Sequence, residues 1–122
     1  MAHQKSTTGQ HGETLVVHYL RDQGFAILER NYRKQYGEID IIALNHEVLI
    51  FVEVKMRRAC RFDFSCVITP TKQKKIAAVA RHYLARHTYE YRAYRFDVAL
   101  VEGIQDKEHI TYIPQAFVID NW

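Results

Sequence analysis

The chain has 122 residues, of which 48% are hydrophobic and 25% charged. This length suits one domain, and the composition excludes a disordered chain. No apolar stretch approaches the roughly 20 residues that cross a bilayer, and the polar start lacks the apolar core of a signal peptide. We therefore expect a cytoplasmic protein without membrane contact, with a disordered tail at 1–8 and a single domain at 9–122. The net charge of +3 is compatible with a nucleic-acid partner without requiring one.

The predicted elements follow from apolar periodicity and from turn residues. In chain order they are a helix at 13–23, strands at 25–28, 38–44 and 48–55, a brief strand at 67–68, a helix from Thr69-Pro70 to about His87, and strands at 94–101 and 110–113. Leaving the brief strand aside, the order is α-β-β-β-α-β-β. That order predicts an α/β fold in which helices cover the faces of a mixed sheet.

Three charged residues interrupt the two most apolar predicted strands. Alternate residues of a strand share a face, so Glu53 and Lys55 point the same way. Asp40 lies among isoleucines on the preceding strand and meets Glu53 if the hairpin register or a bulge brings the strand ends together. Two close carboxylates repel each other, and a hard cation such as Mg²⁺ or Mn²⁺ relieves that repulsion. A lysine beside such an ion stabilises charge on a phosphate, so the pattern predicts a site for phosphodiester hydrolysis.

Two alternatives give these residues no catalytic role. Glu53 and Lys55 also fit a surface ion pair at a strand end, but the isoleucine-rich setting of Asp40 favours the metal site. Glu13 lies on the apolar stripe of the first helix, where it is either a further metal ligand or a glutamate favoured by the helix dipole. These two interpretations of Glu13 stay open.

Basic residues follow the charged strand end and open the second helix. A solvated charged face and a phosphate-binding surface explain them about equally well. The predicted nucleic-acid contacts are Arg57, Arg58, Lys72, Lys74 and Lys75. Arginines and tyrosines also alternate between 81 and 95, a composition that serves core packing and a dimer contact at least as well as base stacking.

The central motifs resemble the YraN family of bacterial proteins, in the restriction-endonuclease-like superfamily, which is similar to archaeal Holliday-junction resolvases. The motifs are Arg30-Asn31-Tyr32-Arg33, Gly37-Glu38-Ile39-Asp40-Ile41-Ile42-Ala43, Phe51-Val52-Glu53-Val54-Lys55, Lys72-Gln73 and Arg95-Phe96-Asp97-Val98. The likeness extends from about Gly9 to Phe117. Between Arg57 and Cys66 the chain lacks the glycine-containing turn common in the family.

The resemblance implies roles for individual residues. Asp40 and Glu53 would bind Mg²⁺ or Mn²⁺, Lys55 would be the catalytic lysine, and Glu13 would match an acidic residue on the first helix of resolvase-like members. Lys72 would contact a phosphate, and Asp97 would pair with an arginine in a structural role.

Three functional hypotheses follow. The first is a metal-dependent endonuclease that hydrolyses DNA, with branched, Holliday-junction-like DNA as a candidate substrate. A homodimer would suit it, because a four-way junction offers two symmetry-related strands. The second is a non-catalytic nucleic-acid-binding module that keeps the nuclease fold. The third is an interaction protein with a remnant pocket.

Overall fold

The computed structural model describes residues 7–57, 68–87, 91–103 and 107–120. Within these residues two helices and five strands follow one another in the predicted order. They are α1 (Thr7–Asp22), β1 (Ala26–Lys34), β2 (Gly37–Asn45), β3 (Val48–Arg57), α2 (Pro70–Arg86), β4 (Ala93–Glu102) and β5 (His109–Phe117). None of the described helices has the length and apolar character that crossing a bilayer requires.

The five strands form one mixed sheet in the order β1-β2-β3-β4-β5. β3 and β4 are parallel, whereas the other neighbours are antiparallel. Parallel neighbours need a long crossover connection, and α2 lies within the segment that joins β3 to β4. The predicted α/β class with a mixed sheet is therefore confirmed.

The two helices cover opposite faces of the sheet. Along β3, Ile50 and Val52 pack with α1, whereas Leu49 and Phe51 pack with α2. All four side chains are at most 1% exposed. Burial on both faces is the reason why β3 is apolar in nearly every position rather than alternating with polar residues.

The edge strand β1 is longer than its prediction of 25–28. It runs from Ala26 to Lys34 and pairs with β2 along that length, with a register shift between Ile27 and Glu29. Polar residues of an edge strand face solvent while their backbone still pairs on one side. The apolar pattern therefore ends at Leu28, whereas the backbone pairing of β1 with β2 continues to Lys34.

Other boundaries also differ from the prediction. α1 begins at Thr7 rather than Glu13, because its first turns carry no apolar repeat. Ile68 lies in a bend, and Val67 is outside the described residues. β5 passes through Pro114, where a strand end was predicted. That proline lies in an irregularity of an outer strand, the setting in which a missing backbone donor is tolerated.

Candidate active site

A cleft with a cavity volume of about 510 Å³ opens beside the first turns of α2. Residues of β2, β3 and α2 line it: Gly37, Glu38, Asp40, Glu53, Val54, Lys55, Thr69, Thr71, Lys72, Lys75 and Ile76. The cleft thus contains two adjacent carboxylates, Asp40 and Glu53, and Lys55, which lies two residues beyond Glu53 on β3.

The strand register brings Asp40 and Glu53 together. Pairing of β2 with β3 ends at Ile41 and Val52, and the two carboxylates are the next residue of each strand. The backbone N–H of Val54 donates to Asp40 Oδ2 at 2.8 Å. Asp40 thereby fixes the point at which the strands separate, and its charge acts on the neighbouring Glu53. Both residues are buried, with 4% and 6% exposure.

Two lysines approach the same oxygen of Glu53. Lys72 Nζ lies 2.5 Å from Glu53 Oε2, and Lys55 Nζ lies 3.9 Å from it. The structure places the Lys72 ammonium on Glu53, and the phosphate contact that the resemblance implies for Lys72 stays a prediction. Both carboxylates, Asp40 and Glu53, therefore have cationic neighbours in Lys55 and Lys72.

The pKa of each of three cleft side chains, Glu53, Lys55 and Lys72, is shifted in part by the charges of its neighbours. Burial and the charge of Asp40 raise the pKa of Glu53 to about 7, although Lys72 opposes the change. Burial and the nearby Lys72 lower the pKa of Lys55. Burial also lowers the pKa of Lys72, but the attraction of Glu53 outweighs it, so the net pKa is raised. Lys72 therefore stays protonated to a higher pH than an ordinary lysine, whereas Lys55 loses its proton at a lower pH.

The raised pKa of Glu53 predicts a pH-dependent stability. Since the folded-state pKa of about 7 lies above the ordinary value of 4.5, folding favours the protonated acid. This contribution to stability is present below the ordinary pKa and is lost as pH rises through about 7. In EDTA, we expect the Glu53→Gln variant to gain stability relative to the parent between about pH 5 and about pH 8. Urea unfolding at both pH values measures the difference, and a constant difference would contradict the shift.

The sequence positions Lys72 through a helix cap and a glycine. Thr69 caps α2 by accepting a hydrogen bond from the Lys72 backbone N–H at 3.1 Å, and Pro70 follows in the first turn. A Cβ at Gly37 would lie 3.2 Å from Val79 Cγ2 and 3.3 Å from the Lys75 carbonyl oxygen. Gly37 therefore lets α2 lie close to β2. Gly37 is a sequence signal for this close approach, but it does not specify that Lys72 reaches the carboxylates.

The remaining predicted site residues lie apart from the cleft or outside the described chain. Glu13 is a buried residue of α1, the helix on the opposite face of the sheet from α2, and is not among the described residues that line the cleft. Lys74 is exposed and does not line it either. Arg57 is the last residue of β3, and Arg58 lies outside the described residues.

The described arginines and tyrosines between 81 and 95 do not form one surface. Tyr83 is a core residue, fully buried and stacked on His87. Arg95 donates to the buried carboxylate of Asp97, with Nε 3.0 Å from Oδ1. Arg92 lies at the opposite end of β3 from the cleft, near Glu47. Tyr89 lies outside the described residues.

The donor set fits a hard divalent cation. In the described part of the chain, no group of three or more His, Cys, Asp or Glu side chains is arranged to hold a metal ion. Mg²⁺, however, keeps several waters and is commonly held by one or two carboxylates. Asp40 and Glu53 supply two. Burial and, after it, repulsion by Asp40 raise the pKa of Glu53, and a cation would relieve that repulsion.

Comparison with known proteins gives the family. The model of the uncharacterised protein family UPF0102 matches residues 12–101. The chain belongs to this family. It is 38% identical over 123 residues to a UPF0102 protein of Syntrophotalea carbinolica, covering 100% of both chains. It is 40% identical over 111 residues to a UPF0102 protein of Alkaliphilus metalliredigens, covering 89% of this chain and 96% of the relative.

A solved structure supports the fold of this UPF0102 protein. The Archaeoglobus fulgidus protein Hjc, a Holliday junction resolvase, aligns with a TM-score of 0.56 at 19% identity, covering 84% of this chain and 72% of Hjc. The family and the nuclease-like fold that the central motifs implied are thus confirmed. At this identity the likeness extends to the fold, and the activity of Hjc remains a property of Hjc.

Proposed function

We propose that this protein is a metal-dependent endonuclease that hydrolyses DNA phosphodiester bonds. One observation carries the proposal: Asp40 and Glu53 lie buried side by side in a cleft, with the ammonium groups of Lys55 and Lys72 next to Glu53. Carboxylates suit the cation, and lysines suit the phosphate, so the cleft matches both components of phosphodiester hydrolysis.

Each residue has a distinct proposed role. Asp40 and Glu53 would hold Mg²⁺ or Mn²⁺, which when bound polarises a phosphate and makes a coordinated water acidic. Asp40 is oriented by the Val54 N–H, so one carboxylate is fixed before any ligand arrives. Lys55, with its lowered pKa, is suited to exchanging a proton at Nζ with the attacking water or to stabilising charge on the phosphate.

Lys72 contacts the Glu53 carboxylate through its ammonium, so it would compete with a metal ion for that carboxylate. Its ammonium lies 2.5 Å from Glu53 Oε2, and one carboxylate oxygen does not hold two cations at such a distance without repulsion between them. On metal binding, Lys72 would be released toward the substrate phosphate. It would remain positive after release, because the ordinary pKa of a lysine ammonium, 10.5, lies well above neutral pH.

The competition predicts opposite effects on binding and on cleavage. We expect Lys72→Met to bind Mn²⁺ about tenfold more tightly, equivalent to about 1.4 kcal/mol, while cutting DNA more slowly. Calorimetric titration gives the affinity. Lys75→Met is the matched control, since Lys75 lines the same cleft but forms no ion pair with a described carboxylate. Equal Mn²⁺ affinities of parent and Lys72→Met would contradict the competition.

The experiment that tests the function has two readouts. Mg²⁺ and Mn²⁺ are titrated into the parent protein by calorimetry, and a four-way DNA junction and a plain duplex of matched sequence are then incubated with it. The proposal expects ion binding at the cleft and cutting that requires the ion. A preference for the junction would identify branched DNA as the substrate and favour a homodimer, because two symmetry-related strands must be cut. Ion binding without cutting of either DNA would overturn the nuclease assignment.

The second candidate is a nucleic-acid-binding module that keeps the nuclease fold without cutting. The Lys72–Glu53 ion pair favours it, because the protein itself supplies a cation to the carboxylate that would otherwise attract a metal. This candidate expects DNA binding that is independent of Mg²⁺ and no cutting by either the parent or Lys72→Met.

A further inference from the structure

A row of cationic and aromatic side chains leads from the cleft to the edge strand β1. It begins with Lys72 and Lys75 of α2, which line the cleft. It continues with Lys34 on β1 and Arg86 in the last turn of α2. We call these four residues the basic strip. None of the proposed catalytic roles uses Lys34 or Arg86.

Contacts across the α2–β1 boundary hold the far end of the strip in place. Arg86 Nε donates to His82 Nε2 at 2.9 Å, and the other ring nitrogen of His82 lies 3.1 Å from Tyr32 Oη. Because Nε2 accepts, the neutral ring carries its proton on Nδ1 and donates it to Tyr32. Lys34 Nζ lies 5.0 Å from the centre of the Tyr32 ring. One tyrosine and one histidine thus orient both outer cations.

The electrostatics of His82 agree with this geometry. Burial and the positive charges of Lys34 and Arg86 lower its pKa, so the ring stays neutral and keeps Nε2 as an acceptor. Of the nearby acids, Glu38 is paired with Arg33 at 3.0 Å, and Glu29 acts on Tyr32 from β1. The outer cations are not themselves paired with a described carboxylate.

The length of the strip fits a polynucleotide backbone. Lys72 and Arg86 are fourteen residues apart on one helix, which corresponds to about 21 Å. A DNA strand carries one charge per 3.4 Å along its axis, so the strip spans about six phosphates. Tyr36, in the turn between β1 and β2, is 46% exposed and offers a ring on which a base can stack.

We propose that the basic strip carries the DNA strand away from the cleft, with its phosphates on Lys75, Lys34 and Arg86. The proposal rests on the proposed function, because it takes the phosphate in the cleft as its starting point. It adds a direction: the strand leaves over α2 toward β1 rather than toward the β2–β3 turn. Charge complementarity and continuity with the cleft identify DNA as the occupant.

The test is DNA binding by a double variant, Lys34→Gln with Arg86→Gln, measured in EDTA by fluorescence anisotropy with a labelled duplex and a labelled single strand. Loss of two phosphate contacts should weaken binding roughly tenfold and reduce the slope of log affinity against log salt by about two. The matched control is Arg21→Gln with Arg92→Gln, which removes the same charge from exposed positions at the other end of the sheet. Thermal melting verifies that both variants fold.

The outcomes separate this proposal from the nuclease assignment. Equal weakening by the control pair, or parental affinity of the Lys34/Arg86 variant, would overturn the strip while leaving cleavage untouched. Poly-glutamate competing as well as unlabelled DNA at equal charge would also overturn it, because the surface would then accept any polyanion. A parent that binds DNA through the strip but never cuts it would support the strip and refute the nuclease.

Discussion

Replacing Asp40 with asparagine is expected to abolish metal-dependent cleavage, with a rate loss of about a thousandfold or more. A bound divalent cation contributes several kcal/mol to stabilising charge in the transition state, and such an energy corresponds to that factor. The fold should persist. Asparagine keeps a carbonyl oxygen that can accept the hydrogen bond which the Val54 N–H now donates to Oδ2 at 2.8 Å. The substitution therefore removes the charge and retains the strand separation.

The measurement combines calorimetry with a cutting assay. For Asp40→Asn, both the heat of Mn²⁺ binding and the cutting should disappear while thermal melting stays close to that of the parent. Glu38→Gln is the matched control, because Glu38 lines the same cleft but is paired with Arg33 at 3.0 Å. It should bind the ion and cut like the parent. An Asp40→Asn protein that cuts at the parental rate would show that the reaction centre lies elsewhere.

The order of helices and strands could be predicted from the sequence because it depends on local residue patterns. β3 is apolar at successive positions from Val48 to Val52, a pattern typical of a strand buried on both faces. Gly24, with a φ of 93°, ends the first helix as its position predicts. Element order therefore followed from periodicity and turn residues. Element length did not, since β1 continues to pair with β2 beyond its predicted apolar run, through its backbone and through the Arg33–Glu38 ion pair.

The candidate site was predictable only in part. Asp40 and Glu53 belong to one hairpin, so a short-range register brings them together and the sequence could anticipate it. The Lys72–Glu53 pair depends on how α2 lies across the sheet, which no local pattern specifies. The contact of Tyr32 with His82 joins residues 50 apart in sequence and was missed for the same reason. The position of α2 on the sheet thus determines both contacts, and sequence periodicity does not predict that position.

The largest expected effect on stability lies away from the cleft, at Asp97. Its side chain is fully buried on β4 and accepts hydrogen bonds from three directions. Arg95 Nε donates at 3.0 Å, Tyr112 Oη at 2.5 Å, and the backbone N–H of Gln115 at 2.9 Å. Gln115 has a φ of 50° and lies in the irregular part of β5. Asp97 therefore holds an outer strand at the point where its regular pairing with β4 is interrupted.

We expect Asp97→Ala to lower the free energy of unfolding by about 3–5 kcal/mol, because three donors lose their fully buried acceptor at about 1–3 kcal/mol each. Arg95 would lose its buried counter-charge, while Tyr112 and Gln115 would each lose an acceptor. Tyr112→Phe, which removes one donor and leaves Asp97 with the others, should cost about 1 kcal/mol. Urea unfolding of the parent and both variants measures the ranking.

The unfolding free energies of these two variants show whether the whole hydrogen-bond network of Asp97 or only its bond with Tyr112 stabilises the protein. If Asp97 acts as the hub of the network, Asp97→Ala must cost more than Tyr112→Phe, because it leaves three donors unsatisfied rather than removing one. Equal losses would assign the stabilisation to the Tyr112 contact alone. Since Asp97 lies outside the set of residues that line the cleft, Mn²⁺ affinity of the folded Asp97→Ala protein should match that of the parent. A variant that kept its stability but lost the ion would instead place Asp97 in the site.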